Sequence, residues 1–229
     1  MVLTGAGISA ASGLKTFRDS GGLWEQHDIM EVASIEGWYK NPKLVLEFYN
    51  NRRAQLQEVF PNEAHHALVA LEQKFDVYIV TQNVDDLHER AGSSNIIHLH
   101  GKLLEAKSEN KNSSVGGKKI KQMVSSERIE MGDLCEQGYQ LRPNIVWFGE
   151  DVPEMQNAMQ ICRSADILLV IGTSLQVYPA ASLVDYVPQS AEKYLIDPNL
   201  EIGLINGFTF IQENAVEGVP RLAKKLLSE

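Results

Sequence analysis

Two short segments carry side chains that could hold and activate a polar ligand. Gln82-Asn83-Val84-Asp85 follows a strand-like run at Val77–Thr81, and His100-Gly101 follows a second run at Ile96–Leu99. Amides, a carboxylate and an imidazole at the ends of parallel strands meet at one sheet edge, where α/β proteins bind ligands. We therefore expect Gln82, Asn83, Asp85 and His100 to share a site. Asn83 and Asp85 could equally cap the helix beginning near residue 85. Both roles are compatible, because a residue that caps a helix can also face a ligand.

The start of the chain fits a dinucleotide-binding fingerprint. Gly5-Ala6-Gly7-Ile8-Ser9-Ala10 directly follows a predicted strand at Val2–Thr4. Glycines at this spacing let backbone N–H groups approach a pyrophosphate at a helix N-terminus, and Ala10 permits close helix–strand packing. Tight turns also produce so short a pattern. The acidic residues about 20 positions on, Glu25 and Asp28, do not end a second predicted strand, which disfavours a hydride-transferring dehydrogenase.

The elements around these motifs alternate between strands and helices. The predicted strands are Val2–Thr4, Val77–Thr81, Ile96–Leu99, Ile145–Phe148, Ile167–Ile171, Lys193–Ile196 and Phe208–Ile211. The predicted helices are Leu44–Gln57, one capped by Asn62 with apolar positions Ala64, Ala67, Leu68 and Leu71, Met155–Ser164, Ala180–Tyr186 and Val219–Leu227. This order predicts an α/β fold, a Rossmann-like parallel sheet with helices on both faces.

Two stretches break the alternation. Residues 28–60 read as helical, and residues 102–141 are rich in Lys, Ser, Glu and Gly. We predict a nucleotide-binding domain formed by residues 1–27, 61–101 and 142–229, with the two other stretches forming a small inserted module.

Together, these motifs resemble the sirtuin family of NAD-dependent protein deacylases over nearly the whole chain, except around residues 104–140. The resemblance implies NAD as cofactor and acylated-lysine proteins or peptides as substrates. It adds a second dinucleotide loop, Gly172-Thr173-Ser174, and places Asp197 at the adenosine ribose, where the family commonly has Asn. An aspartate there would repel a 2′-phosphate, so NAD is favoured over NADP.

Further cofactor contacts follow from the same resemblance. Thr16-Phe17-Arg18 matches the family's flexible cofactor loop, in which Phe17 would shield the reacting sugar carbon and Arg18 would steady phosphate or ribose oxygens. The alternative is a surface loop with Phe17 anchored in the core. The residues expected at the cofactor are Gly5, Ala6, Gly7, Ser9, Ala10, Thr16, Phe17, Arg18, Gln82, Asn83, Asp85, His100, Gly172, Thr173, Ser174, Asp197 and Ala215.

His100 is the predicted general base, with Asn83 and Asp85 as the other catalytic residues. By resemblance, the acyl-lysine oxygen attacks C1′ of the nicotinamide ribose and nicotinamide leaves. His100 then deprotonates a ribose hydroxyl, which leads to free lysine and O-acyl-ADP-ribose. An imidazole with a pKa near neutrality suits that proton transfer. His98 alternates with His100 along the strand and should face the other side. His65, His66 and His88 lie on or beside predicted helices and read as structural.

Two segments resemble those with which the family clamps an extended peptide. They are Pro143–Glu150 and Gln176–Ala180, with Val146, Phe148, Gly149, Glu150, Val177 and Tyr178 as the expected contacts. Backbone pairing with two exposed edges gives affinity with little side-chain readout. The alternative for Ile145–Phe148 is a core strand.

Tyr49 and Arg52 indicate the acyl group that is preferred. They lie at positions i and i+3 of a predicted helix and so share one face. The sirtuin subgroup that removes succinyl, malonyl or glutaryl groups carries a matching Tyr-x-x-Arg, and a phenol with a guanidinium can hold a distal carboxylate. The alternative is a solvated helix face, since Arg52-Arg53 is also an ordinary surface pair.

The cysteines bear on metal binding and on location. Sirtuins usually carry two Cys-x-x-Cys pairs after the catalytic histidine, whereas this interval holds only Cys135 and no histidine, so we expect no metal site. The apolar residues near Ile129, Met131, Leu134, Tyr139 and Leu141 should hold the insertion instead. Cys162 is the only other cysteine, which suits a reducing compartment. No apolar run approaches the ~20 residues of a membrane span, and a predicted strand begins almost at residue 1. We therefore expect a cytoplasmic protein.

A net charge of −9 argues against nonspecific binding to nucleic acid or to anionic membranes. Two other functions compete with deacylation. One is transfer of ADP-ribose to a protein side chain, with hydrolysis of NAD in the same group, and the other is a non-enzymatic NAD-sensing module. Tyr49, Arg52 and the clamp segments argue against the first, and His100 and Asn83 argue against the second.

Overall fold

The computed structural model describes residues 1–14, 23–24, 27–110, 121–123, 126–199 and 206–229. Its strands are β1 (Val2–Thr4), β2 (Leu23–Trp24), β3 (His27–Asp28), β4 (Ile79–Thr81), β5 (Ile96–His98), β6 (Gly101–Ser108), β7 (Lys121–Gln122), β8 (Leu141–Ile145), β9 (Ile167–Ile171), β10 (Glu192–Ile196) and β11 (Thr209–Ile211). Its α-helices are α1 (Ile29–Val32), α2 (Ile35–Lys40), α3 (Pro42–Gln55), α4 (Glu63–Leu71), α5 (Leu87–Ala91), α6 (Met155–Arg163) and α7 (Ala215–Ser228). Short 3₁₀ segments lie at Ala6–Ile8, Ala10–Ser12 and Ala180–Tyr186.

A parallel sheet forms the centre of the described structure, in the order β11-β10-β9-β1-β4-β5. Its inner strands β1, β4 and β9 are short, mostly buried apolar runs, the pattern typical of parallel sheets. One face packs against α4 and α7 through residues such as Leu68 and Leu222. The other face packs against α6 and the 3₁₀ segment at Ala180–Tyr186, through residues such as Ala158 and Leu183. The predicted α/β fold with helices on both faces is confirmed.

A separate hydrophobic core joins the two stretches that break the alternation. It includes Trp38 and Tyr49 from the helical stretch and Leu103 and Ile129 from the later one. Residues of the later stretch form a small antiparallel sheet in the order β7-β6-β8. Arg53 links the two stretches, because its buried guanidinium donates to the carbonyl of Leu103 at 3.0 Å.

Asn62 caps α4, as the sequence predicts. Its Oδ1 accepts the N–H of Ala64 at 3.0 Å. Its Nδ2 donates to the carbonyl of Ile8 and to the Ser12 hydroxyl, both at 2.9 Å. The cap therefore ties the helix to the first glycine loop. A cap of this type contributes about 1 kcal/mol to stability.

The imidazole rings of His65 and His88 are buried and pack against each other. Their ring centroids lie 4.9 Å apart, and His65 Nδ1 accepts the N–H of Asn62 at 3.2 Å. Burial lowers the pKa of His65 to about 4 and that of His88 to about 3. Both rings are therefore neutral near neutral pH, whereas His66 is exposed to solvent.

Several predicted boundaries are wrong. The strand expected at Ile145–Phe148 instead covers Leu141–Ile145, because it pairs with β6 in the small sheet. The last helix begins at Ala215, and not at Val219, because Asn214 is the N-cap residue and its carbonyl accepts from the N–H of Gly218. Of the apolar residues expected to hold the insertion, Ile129 is buried, whereas Met131, Leu134 and Tyr139 are exposed.

None of the helices within the described ranges combines the length and apolar character needed to cross a membrane.

Candidate active site

The carboxyl ends of four neighbouring strands lie in one row. Thr4 pairs with Thr81 and with Ile171, and Ile171 pairs with Ile196. The residues that follow this row are Gly5, Gln82, Gly172 and Asp197, all of them predicted site residues. The chain order reverses at β1, with β4 and β5 on one side and β9 to β11 on the other. Such a reversal point is where open α/β sheets bind their ligands.

The two glycine loops lie backbone against backbone. The N–H of Gly7 donates to the carbonyl of Gly172 at 2.9 Å. A Cβ atom on Gly7 would lie 2.6 Å from Gly172 Cα, and one on Gly172 would lie 2.7 Å from Gly7 Cα. Gly172 also has a φ of +60°, in the left-handed region. These loops therefore require glycine, and they form a side-chain-free cradle of the kind that dinucleotide phosphates approach.

Ser9, Asn83 and Asp85 form a buried hydrogen-bonded network behind the first loop. Asn83 Nδ2 donates to Ser9 Oγ at 3.1 Å, and Ser9 Oγ donates to Asp85 Oδ2 at 3.2 Å. Asp85 Oδ1 also accepts the N–H of Leu87 at the start of α5, at 3.2 Å. Asp85 thus serves both as a cap and as a member of the site. Burial raises the pKa of Asp85, although the hydrogen bonds from Leu87 and Ser9 oppose that shift.

His100 is oriented by one backbone hydrogen bond. Its Nδ1 lies 3.0 Å from the carbonyl oxygen of Gln82. A carbonyl oxygen can only accept, so Nδ1 carries the proton and Nε2 keeps its lone pair. Burial lowers the pKa of His100, and the hydrogen bond to Gln82 offsets part of this shift. The imidazole is therefore a neutral base near neutral pH.

His98 occupies a different environment from His100. Its Nδ1 lies 3.0 Å from the carbonyl oxygen of Asn83, and its Nε2 lies 2.8 Å from Glu89 Oε1 on α5. Lys102 Nζ also donates to Glu89 Oε1, at 3.0 Å. His98 is thus held against α5 behind the site.

A cavity of about 660 Å³ lies at this edge of the sheet, between the glycine loops, α3 and the segment after β8. Its volume is in the range of sites for small molecules and cofactors. The described residues predicted at the cofactor all line it: Gly5, Ala6, Gly7, Ser9, Ala10, Gln82, Asn83, Asp85, His100, Gly172, Thr173, Ser174, Asp197 and Ala215. Gln82 Nε2 donates to Thr173 Oγ1 at 3.0 Å and so connects two strand ends. Thr16, Phe17 and Arg18 lie outside the described residues.

Tyr49 and Arg52 of α3 line the same cavity as His100 and Asn83. Tyr49 has no exposed surface, and Arg52 is 7% exposed. The alternative of a solvated helix face is therefore wrong, and Arg53 is fully buried as well. Burial raises the pKa of Tyr49, although its contacts with Trp147 and Arg52 lower it in part, so the phenol keeps its proton.

The predicted clamp residues Val146, Phe148, Gly149, Glu150, Val177 and Tyr178 also line the cavity. The expectation of free strand edges is wrong for several of their backbone groups. The N–H of Phe148 donates to Ala33, its carbonyl accepts from Ile35, and the N–H of Val146 donates to His100. The carbonyl of Val177 accepts from Ala181. The loop after β8 packs against the junction between α1 and α2, and this contact occupies groups that a lone strand would leave open.

Glu150 has a structural role that the sequence did not indicate. Its carboxylate accepts from the guanidinium of Arg142 and, at 3.1 Å, from the main-chain N–H of Trp147. Burial alone would raise the pKa of Glu150, but Arg142 and the Trp147 N–H hold it below its usual range.

Other cavity residues were missed from the sequence. Asn214 precedes Ala215 and is a typical helix cap residue, a signal that would have placed the start of α7 at the cavity. Trp147 lines the cavity too. Alternation along a strand would place it on the side opposite Val146 and Phe148, but the chain leaves the strand at Ile145. Among the described residues there is no group of three or more His, Cys, Asp or Glu side chains placed to hold a metal ion.

The sheet order and the glycine cradle define a dinucleotide-binding α/β protein, with the imidazole of His100 lining the same cavity. The chain belongs to the Sir2 family, whose model matches residues 5–179. It is 53% identical over 228 residues to an NAD-dependent protein deacylase of Helicobacter pylori strain J99, covering 99% of this chain and 94% of that protein. It is 49% identical over 229 residues to one of Bacteroides thetaiotaomicron, covering 99% and 97%.

A solved complex of a Sir2 homologue with NAD is also similar. The identity is 36% and the TM-score is 0.87, with 100% of this chain and 89% of that chain covered.

Replacing Gly172 by alanine is expected to weaken NAD binding and to lower stability by roughly 1–3 kcal/mol, because the new Cβ would press on Gly7 at a positive φ. NAD titration calorimetry and thermal unfolding measure the two effects. Gly138→Ala is the matched control, since Gly138 has a φ of +80° with nothing within 4 Å of the added atom. Equal NAD affinity and equal stability in the two variants would contradict the cradle.

Proposed function

We propose that this chain is an NAD-dependent protein-lysine deacylase that prefers succinyl or malonyl groups, retains deacetylase activity, and releases nicotinamide and O-acyl-ADP-ribose. One observation carries the proposal. Tyr49 and Arg52 line the same cavity as His100 and Asn83, so a group that recognises a carboxylate and a group that moves a proton face one space.

The residues at the sheet edge fit NAD. The Gly5–Gly7 and Gly172–Ser174 loops would hold the pyrophosphate, and the buried carboxylate of Asp197 would accept from ribose hydroxyls. Gln82, Asn83 and Asp85 would surround the nicotinamide end. Bound NAD supplies the ADP-ribosyl group that accepts the acyl chain. His100 Nε2 holds the lone pair that would take the proton from the ribose hydroxyl.

Acidic acyl groups suit the chemistry of α3. The guanidinium of Arg52 stays charged, and the phenol of Tyr49 stays protonated because burial raises its pKa. Both groups can therefore donate hydrogen bonds to a distal carboxylate, and charge-assisted bonds of this kind are the strong ones. An acetyl group offers no such acceptor, so it would bind without this contribution.

The protein part of the substrate would lie across the mouth of the cavity. Phe148, Val177 and Tyr178 are 41%, 37% and 72% exposed there, which leaves apolar surface for a peptide chain. We propose acylated-lysine proteins as substrates and the cytoplasm as the location. The proposed inserted module, residues 28–60 and 102–141, is supported by the separate core that joins these stretches.

The products of one reaction test the proposal. Incubation with NAD and a succinyl-lysine peptide, followed by mass spectrometry, should give nicotinamide, free-lysine peptide and O-succinyl-ADP-ribose in equal amounts. Nicotinamide with an ADP-ribosylated peptide would instead establish ADP-ribosyl transfer. Bound NAD without any product would indicate a sensing module.

The acid limb of the pH profile should lie below the ordinary histidine value of about 6.5. Burial lowers the pKa of His100, so the neutral base persists as the pH falls below that value and is lost only when the pH passes the lowered pKa. The dependence of kcat/KM on pH measures this in the free enzyme. An acid limb centred above pH 6.5 would contradict the assignment.

A further inference from the structure

Trp147 makes a buried hydrogen bond to Tyr49. The indole Nε1–H donates to the phenolic oxygen of Tyr49 at 3.0 Å. The exposed fractions of Trp147 and Tyr49 are 2% and 0%, so water does not compete for this bond. Both residues line the cavity that holds His100.

The direction of this hydrogen bond is fixed by chemistry. An indole nitrogen is a donor only, so the Tyr49 oxygen must be the acceptor. The phenolic proton then points away from the indole, and Tyr49 can use it as a donor. A carboxylate is an acceptor only. The indole therefore selects the hydroxyl orientation that an acidic acyl group requires.

Trp147 is itself held from two further directions. The guanidinium of Arg142 lies 4.0 Å from the centre of the Trp147 ring. The carboxylate of Glu150 accepts the main-chain N–H of Trp147 at 3.1 Å and also accepts from Arg142. Because this ion pair is mostly buried, the indole has little freedom to rotate, and its N–H stays directed at Tyr49.

We propose that Trp147 is a positioning residue for the recognition of acidic acyl groups: it holds the Tyr49 hydroxyl as a donor toward the distal carboxylate of the substrate. The inference rests on the proposed function and goes beyond it, because it assigns specificity to a side chain that need not touch the acyl group. It predicts that Trp147 and Tyr49 act as one unit.

Trp147→Phe tests the inference, since it keeps an aromatic ring and removes the N–H donor. The ratio of kcat/KM for succinyl- over acetyl-peptide should fall about 3- to 10-fold, the effect of one hydrogen bond, with the loss in KM for the succinyl-peptide. The double variant Trp147→Phe/Tyr49→Phe should match Tyr49→Phe alone. Trp38→Phe is the matched control, because Trp38 is an equally buried indole whose ring packs 5.5 Å from that of Trp147, and it should keep the wild-type ratio.

If Trp147→Phe does not fold, benzothienylalanine can be introduced at position 147 instead. This sulfur isostere of tryptophan keeps the shape of the side chain and removes the N–H, and it should lower the succinyl-to-acetyl ratio in the same way. Two results would overturn the inference and leave the proposed function standing. One is an equal loss of kcat/KM for both peptides in the Trp147 variants. The other is an unchanged succinyl-to-acetyl ratio in these variants when Tyr49→Phe does lower the ratio. A wild-type enzyme that turns over neither peptide with NAD would overturn both.

Discussion

Replacing His100 by alanine is expected to lower kcat/KM for acyl-peptides by ~10²- to 10⁴-fold, the usual contribution of a general base. The structure gives the reason. Nδ1 of His100 is committed to the carbonyl of Gln82 at 3.0 Å, so Nε2 is the basic nitrogen in the cavity. Initial rates of lysine release with saturating NAD measure the effect.

His66→Ala is the matched control for this variant. His66 is an exposed imidazole on α4, so its loss should leave both turnover and stability close to wild type. Thermal unfolding of the two variants separates lost chemistry from lost folding. Full deacylation by the His100→Ala enzyme would show that another group provides the base.

Replacing Arg52 by methionine is expected to lower the succinyl-to-acetyl ratio of kcat/KM by roughly 10- to 100-fold. Methionine keeps much of the length and apolar stem of the side chain, and it removes the cation. A hydrogen bond to a charged group contributes about 1.5–3 kcal/mol, and each 1.4 kcal/mol is tenfold. Matched succinyl- and acetyl-peptides of one sequence measure the ratio.

Arg128→Met is the control, because Arg128 is an exposed arginine paired with Glu130. It removes the same charge from the protein at an exposed position that does not line the cavity, and it should keep the wild-type ratio. Arg53 is unsuitable, since it is fully buried and donates to the carbonyl of Leu103. An unchanged ratio in the Arg52→Met enzyme would remove the acidic pocket from the proposal.

The parallel sheet, and the edge of it that carries the candidate site, could be predicted from the sequence because both depend on local patterns. Short apolar runs gave β1, β4, β5, β9, β10 and β11, and the polar residues directly after them had to meet at one edge. Asp85 shows a limit of such patterns. Capping and ligand binding call for the same residue type, and only the contacts with Ser9 and Leu87 show that it is placed for both.

The contacts between segments that are distant in the sequence could not be predicted from it. Trp147 and Tyr49 lie 98 positions apart, and no periodicity links an indole to a phenol over that separation. The segment after β8 was misplaced for a related reason. Its apolar residues read as a strand, but Phe148 bonds to Ala33 and Ile35 instead of continuing the ladder with β6. Contacts with residues distant in the sequence therefore determine the conformation of this segment.

The rate of NAD-dependent lysine release from succinyl- and acetyl-peptides of identical sequence, measured with a metal chelator present, shows whether this chain is a deacylase that prefers acidic acyl groups. We predict turnover of both peptides, with kcat/KM for the succinyl-peptide about 10- to 100-fold higher, as one charge-assisted hydrogen bond would give. Acetyl turnover equal to or above succinyl turnover would contradict the acidic pocket formed by Tyr49 and Arg52. Absence of turnover of both peptides, with NAD still bound, would contradict deacylation itself.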